Sequence, residues 1–410
     1  MTTSKVIEHI VNNVLDIGSN PCSSCGVCAV ICPTKCITIV HNNEGFYRPQ
    51  INEDTCTTCG ICKKVCYKYI PQPLEFKNYF VDKQVYGAWS KDEYTQNTAT
   101  SGGVGHELLK WGIEHGYEAC GVIFDATIDK CKHTIENNPK QLETFKSSKY
   151  IQSYTVDAFS QFESNKKYIV IGTPCQIFGL RQMIQQKKRE DDFILIDFFC
   201  HGTPTILLWN KYKEYITTKE NLASIKEVVF RSKEKSSWHS YAMKISDIHN
   251  KTYLKDKAFA EDMFFNFFLS DTCLNDSCYN CLLRLDTCAS DIRIADFWGK
   301  KYANNEKGVS LVTVNTEKGK TTFELVSSQL VSESCSFEDL QNSQPIRFAY
   351  KNSSKINKVM LLLQSDLILD TIYRKTIAPS FMKKGKSITK QFAKQILGEK
   401  GLNIIKKIVR

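Results

Sequence analysis

The chain has 410 residues, 42% hydrophobic and 24% charged, which suits two or three globular domains. No apolar run approaches the roughly 20 residues that span a bilayer. The formal charge of +10 has one source: residues 374–410 carry eleven basic residues against Glu399 alone, and elsewhere 43 basic residues meet 43 acidic ones. A basic nucleic-acid-reading domain is therefore excluded, as is a membrane-spanning protein.

Residues 1–20 place Val6, Ile10, Val14 and Leu15 at helical spacing and include Glu8 and Asp16. They read as a lead-in helix covering the segment that follows, not as a signal peptide, and a cytoplasmic location with reduced thiols is expected. Next come two identical cysteine runs, each Cys-x2-Cys-x2-Cys-x3-Cys: Cys22, Cys25, Cys28, Cys32, and then Cys56, Cys59, Cys62, Cys66. Three thiols two residues apart let a tight loop wrap three corners of a cube. The fourth must come from elsewhere. Pro33 follows the first run, whereas Tyr67 stands at the same place after the second. The alternative, structural zinc, normally uses paired ligands separated by a long gap. Cys36 fits neither quartet and reads as a packed thiol.

The spacing resembles that of bacterial-type ferredoxins with two [4Fe-4S] clusters, in which the fourth cysteine of each run ligates the other cluster. That resemblance implies one site of Cys22, Cys25, Cys28 and Cys66, and another of Cys56, Cys59, Cys62 and Cys32. Residues 1–70 are expected to form this module.

The two prolines of Pro71-Gln72-Pro73 open a linker, residues 71–84. Residues 85–220 alternate short apolar runs with amphipathic stretches, which predicts an α/β domain on a largely parallel sheet. Its strands are expected at 85–89, 119–124, 168–171 and 193–199. Residues 221–340 read as a second, α+β part, with strands at 227–231, 241–246 and 310–315 and a Phe-rich helix at 261–269. Residues 341–410 form an extension that ends in the basic tail. There Ile388, Phe392 and Ile396 recur every four residues between lysines, a pattern suited to an anionic membrane surface or an acidic partner, though Gly385, Gly398 and Gly401 interrupt it.

A second cysteine group, Cys273, Cys278 and Cys281, lies in a turn-rich segment and needs a fourth ligand. Cys200 is favoured because it follows an apolar strand, with Cys175 and Cys288 as competitors and zinc as the alternative metal. Cys120, Cys131 and Cys335 stand singly and carry no assigned chemistry.

Six segments occur in order: Thr100-Ser101-Gly102-Gly103, residues 148–153, Gly172-Thr173-Pro174-Cys175-Gln176, Phe199-Cys200-His201-Gly202, residues 277–281, and Asp296-Phe297-Trp298-Gly299. As an ordered set they resemble the coenzyme F420 hydrogenase/dehydrogenase beta-subunit family. The resemblance implies an FAD-containing oxidoreductase with a cluster near the flavin. Its redox partner would be a ferredoxin or another protein, and its substrate an organic hydride carrier such as coenzyme F420. Elementary redox chemistry agrees, since clusters pass single electrons while organic substrates take a hydride, and a flavin joins the two.

The expected flavin site follows from chain position. Thr100, Ser101, Gly102 and Gly103 precede an amphipathic helix, where backbone N–H groups reach a phosphate; the alternative is an ordinary N-cap. Gly172, Thr173 and Pro174 hold the same strand-to-helix place, and Lys149 is a candidate cation. His201 and Asp296 are noted without a role, and no catalytic residue is assigned. The rival readings are a non-catalytic electron-transfer subunit, which would bind no flavin, and a zinc-stabilised interaction protein.

Overall fold

The computed structural model describes residues 12–15, 21–69, 84–235, 237–240, 242–255, 262–284, 287–344 and 346–378. Val6 and Ile10 of the expected lead-in helix, residues 71–83 of the expected linker and the tail from 379 onward lie outside them. Residues 12–15 form a turn, with Val14 buried and Leu15 exposed.

In the cysteine-rich module the two runs have the same backbone. Ser24 and Thr58, two residues after the first cysteine of each run, sit at φ 61° and 48°. Gly26 and Gly60 follow at φ 78° and 72° and start the short helices Val27–Ile31 and Ile61–Lys64. A left-handed residue disfavours side chains, and the second such position in each run is glycine. Between the runs, strands β1 (Ile37–His41) and β2 (Tyr47–Ile51) pair antiparallel, Ile37 opposite Ile51.

The remaining strands are β3 (Gln84–Ser90), β4 (Tyr117–Asp125), β5 (Lys130–Glu136), β6 (Ser153–Tyr154), β7 (Lys167–Ile171), β8 (Phe193–Phe198), β9 (Ile225–Ser232), β10 (Ala242–Asp247), β11 (Thr252–Leu254), β12 (Ile292–Asp296), β13 (Ser310–Val314) and β14 (Leu330–Cys335). Nine of them form one sheet in the order β14-β3-β13-β12-β8-β7-β4-β5-β6, while β9, β10 and β11 form a separate antiparallel sheet. The large sheet is parallel only at its centre, through β12, β8, β7 and β4. Antiparallel pairs flank that centre on both sides. The expectation of a largely parallel sheet is thus corrected to a mixed one. Strands from either side of residue 221 share it, because β13 is buried along its whole length and fits between β12 and β3.

The central strands are covered on both faces, which explains their continuous apolar runs. On one face Ile169, Ile194 and Ile196 pack with Leu108, Trp111 and Phe323 of the helices Val104–Glu114 and Glu317–Val326. On the other, Tyr168, Val170 and Leu195 meet Ile177, Leu180 and Met183 of the helix Pro174–Gln186. Val27, Val30 and Val65 of the cysteine module join that same core, so the module is seated on this helix. A further core gathers Trp209 and Tyr212, the Phe-rich helix Met263–Leu269, and Val359 and Ile372 from the two C-terminal helices Ser353–Leu363 and Leu369–Thr376.

Candidate functional site

Two small cavities lie in the cysteine module. Cys22, Cys25, Cys28 and Cys66 line the first, and Cys32, Cys56, Cys59 and Cys62, together with Cys36, line the second. The halves are crossed, since each cavity takes one cysteine from the opposite run. The part of the expected lead-in helix that is described covers both cavities, Val14 over the first and Asn12 and Asn13 over the second.

Burial, and then the neighbouring thiols of Cys175, Cys66 and Cys22, push the Cys25 thiol well up. Burial followed by Cys25, Cys22, Cys66 and Cys62 does the same at Cys28. Buried thiolates that repel one another call for a positive centre between them. The donor set, and the amide of Ser24 that donates to Cys22 Sγ at 3.3 Å, fit an iron-sulfur cube. Among the described residues no three Cys, His, Asp or Glu side chains converge as ligands of a single ion do.

A third group of thiols lies beside the first cavity. Burial, then Cys278, Cys175 and Cys281, raise the Cys200 thiol. Cys175 is pushed up to about 12 by burial, against a lowering hydrogen bond with Thr173, with Cys281 and Cys278 adding to the rise. The structure thus brings Cys175, Cys200, Cys278 and Cys281 within electrostatic reach of one another. Cys175 and Cys200 occupy equivalent places, just past the ends of the adjacent parallel strands β7 and β8. That equivalence is the signal in the sequence that marks both as partners instead of competitors.

Cys273 is elsewhere, and the expected set Cys200, Cys273, Cys278 and Cys281 is corrected accordingly. Its sulfur points at the Phe267 carbonyl, 3.7 Å away, within the Phe-rich core. Five residues separate it from Cys278, with a short helix intervening, so the two sulfurs face different cores. Cys288 is held in a polar network, 2.9 Å from Ser290 Oγ and 3.2 Å from Asn315 Nδ2.

The third group adjoins both the first cavity and a larger one. Cys175 Sγ lies 3.8 Å from the Ser23 carbonyl of the first loop. Tyr67, the residue in place of the second proline, accepts a hydrogen bond from the Leu282 N–H at 2.8 Å and sets its ring edge against Phe178. Cys200 in turn lines a cavity of about 520 Å3 at the C-terminal ends of β7, β8 and β12. Open α/β sheets bind ligands at that edge.

Of the expected flavin-site residues, Thr100, Ser101, Gly103, Lys149, Gly172 and Thr173 line this cavity. Gly102 lies behind its wall, its N–H bonded to Ser310 Oγ at 3.0 Å. A Cβ there would come within 2.4 Å of the Ala88 carbonyl oxygen. Pro174 is the first residue of the helix that leaves the cavity, behind a capping box of Thr173 and Gln176. Lys149 gives its ammonium to the carbonyls of Thr144, Phe145 and Lys146 at 2.7–3.0 Å, bracing the loop that walls the cavity. The opposite wall holds Arg231, paired with Asp296 at 2.5 Å and lying over the Trp298 ring. His201 Nε2 is 2.7 Å from Asp271 Oδ1. Burial alone would raise the Asp271 carboxyl, but hydrogen bonds from His201 and the Tyr350 N–H outweigh it and hold the group below the ordinary value.

A dicluster-type cysteine module seated on a mixed α/β domain, with further thiols leading to a cavity at a parallel strand edge, defines an iron-sulfur redox protein. Residues 165–339 match the family described by the C terminus of the coenzyme F420 hydrogenase/dehydrogenase beta subunit, and residues 21–70 match the 4Fe-4S dicluster domain. Over these stretches the chain belongs to that beta-subunit family, with a ferredoxin-type domain in front. It is 29% identical over 185 residues to the coenzyme F420-dependent sulfite reductase of Methanocaldococcus jannaschii. That match covers 43% of this chain and only 27% of the relative. Among solved structures, the F420-reducing [NiFe] hydrogenase complex of Methanosarcina barkeri aligns with a TM-score of 0.42 at 13% identity, over 61% of this chain and 81% of that one. Among the described residues no helix is long and apolar enough to cross a membrane.

Proposed function

We propose that the chain is an iron-sulfur flavoprotein oxidoreductase that exchanges electrons with a redox partner, and hydride with an organic substrate or coenzyme F420. The observation that carries this reading is the placement of Cys175, Cys200, Cys278 and Cys281. They lie between the first cysteine cavity and the large one, with Cys175 against the first loop and Cys200 in the cavity wall. Three cysteine quartets then follow one another, the second facing outward through the exposed Cys59, where a partner protein would approach. A flavin, when bound, accepts single electrons on one side and exchanges hydride on the other.

The residues of the large cavity suit such a group. The helix Val104–Glu114 turns its first residues, with Gly103 at φ 86°, into the cavity, where its amide end favours a phosphate. Ile171, Ile294 and Trp298 supply apolar walls for a planar ring. Thr173 sits one turn from Cys175, with Oγ1 3.2 Å from its sulfur, at the junction between thiols and cavity. The buried Asp296–Arg231 pair closes the far side and limits water.

The test is a cofactor count on protein purified without oxygen. About twelve irons and one FAD per chain are expected. About eight irons without flavin would leave a ferredoxin with a docking domain, and the enzyme reading would be abandoned.

A further inference from the structure

We propose that Cys36 is a fifth thiol of the second ferredoxin-type site, a reserve ligand able to take the iron corner that Cys32 holds. The inference rests on the iron-sulfur reading above. Cys32 Sγ and Cys36 Sγ are 3.4 Å apart. Both line one cavity with Cys56, Cys59 and Cys62. Cys36 is 6% exposed, so its sulfur is committed to the interior. Its backbone holds it there: it directly precedes β1, and its carbonyl accepts the Asn52 N–H at 2.9 Å, extending the hairpin register.

The first site offers no such spare. Cys22, Cys25, Cys28 and Cys66 are the cysteines that line it, and the position four after Cys66, matching Cys36 after Cys32, is Ile70. In the exchange a Cys36 sulfur–iron bond replaces the Cys32 sulfur–iron bond. The Cys36 proton leaves to solvent, the Cys32 sulfur takes one up where it is present, and no electron moves. The two otherwise repeated sites thus differ in their tolerance of a lost ligand.

The experiment counts iron and sulfide in anaerobically purified variants and records the EPR spectrum of each reduced sample. Cys32→Ala should keep the parent's full iron, whereas Cys32→Ala/Cys36→Ala and, at the first site, Cys66→Ala should each lose about four irons. Loss of about four irons from Cys32→Ala alone overturns the reserve role and leaves the cluster reading intact; a parent chain without cubane iron overturns both. If Cys32→Ala yields no soluble protein, Cys36→Ser in the otherwise native chain decides. Altered g values for the second cluster support a thiol in contact with the ligand set, and an unchanged spectrum overturns the proposal.

Discussion

The two kinds of cysteine site in this molecule are built in opposite ways. Within the module, three sulfurs of each site come from a seven-residue loop whose shape is set by Ser24 and Gly26, or by Thr58 and Gly60. The group of Cys175, Cys200, Cys278 and Cys281 instead collects sulfurs from the ends of two parallel strands and from a distant turn. A local loop keeps its geometry as long as its own turns persist. An assembled site depends on every element that positions a member, so damage far from the sulfurs should reach it.

The largest expected effect separates the members of the assembled group from a bystander. Cys175→Ala should lose about four irons while Cys273→Ala keeps them all, the latter showing only the stability cost of a buried truncation. Equal iron in both variants would return the site to the set first expected from spacing.

The next effect tests dependence on the sheet. Asp197 on β8 and Arg293 on β12 form a fully buried pair, bonded at 2.8 and 2.7 Å, and Arg293 lies over the ring of Phe199, beside Cys200. Removing one partner leaves the other charge buried and unpaired, so Arg293→Ala should lower unfolding free energy by about 3–5 kcal/mol. Urea unfolding measures this. The comparison predicts that under mild denaturant this variant sheds the third iron group before the first two.

A pH effect of similar kind concerns β7. Burial holds the His133 imidazole down at about 4, against about 6.5 in an unfolded chain. The unfolded chain therefore binds the proton first. The stabilisation is fully present above pH ~6.5 and is lost as pH falls towards 4, by about 3 kcal/mol in all. Since His133 lies against Ile171 and Gly172, at the end of the strand that leads to Cys175, His133→Gln should show a shallower decline in stability from pH 7 to 4.5. An identical slope would assign the acid sensitivity elsewhere.

The smallest effect lies where the two kinds of site meet. Asn275 donates to Ser24 Oγ at 2.9 Å and accepts from Arg48 at 3.3 Å, tying the first loop to the segment before Cys278. Asn275→Ala should cost about 1 kcal/mol, read by thermal unfolding, with all iron retained. Loss of iron from the first site would show that the module loops are less self-sufficient than their backbone implies.

These contrasts also mark what could be read from the residues alone. The module was legible because seven-residue spacing, glycine at the left-handed positions and the repeat all act within one loop, where sequence distance and spatial distance agree. The strands β3, β4, β7 and β8 were legible for a similar reason, since burial on both faces writes continuous apolar runs such as residues 168–171 and 193–198. Resemblance to the beta-subunit family was readable in the order of six short segments. Tertiary structure alone decided the rest. Cys273 and Cys278 are near in sequence yet face different cores, because a helical turn between them rotates one sulfur away, while Cys175 and Cys200 meet because adjacent parallel strands end side by side. The pairing of β13 between β3 and β12, and the commitment of Lys149 to three backbone carbonyls instead of an outside anion, likewise depend on contacts across long chain separations, which no local pattern records.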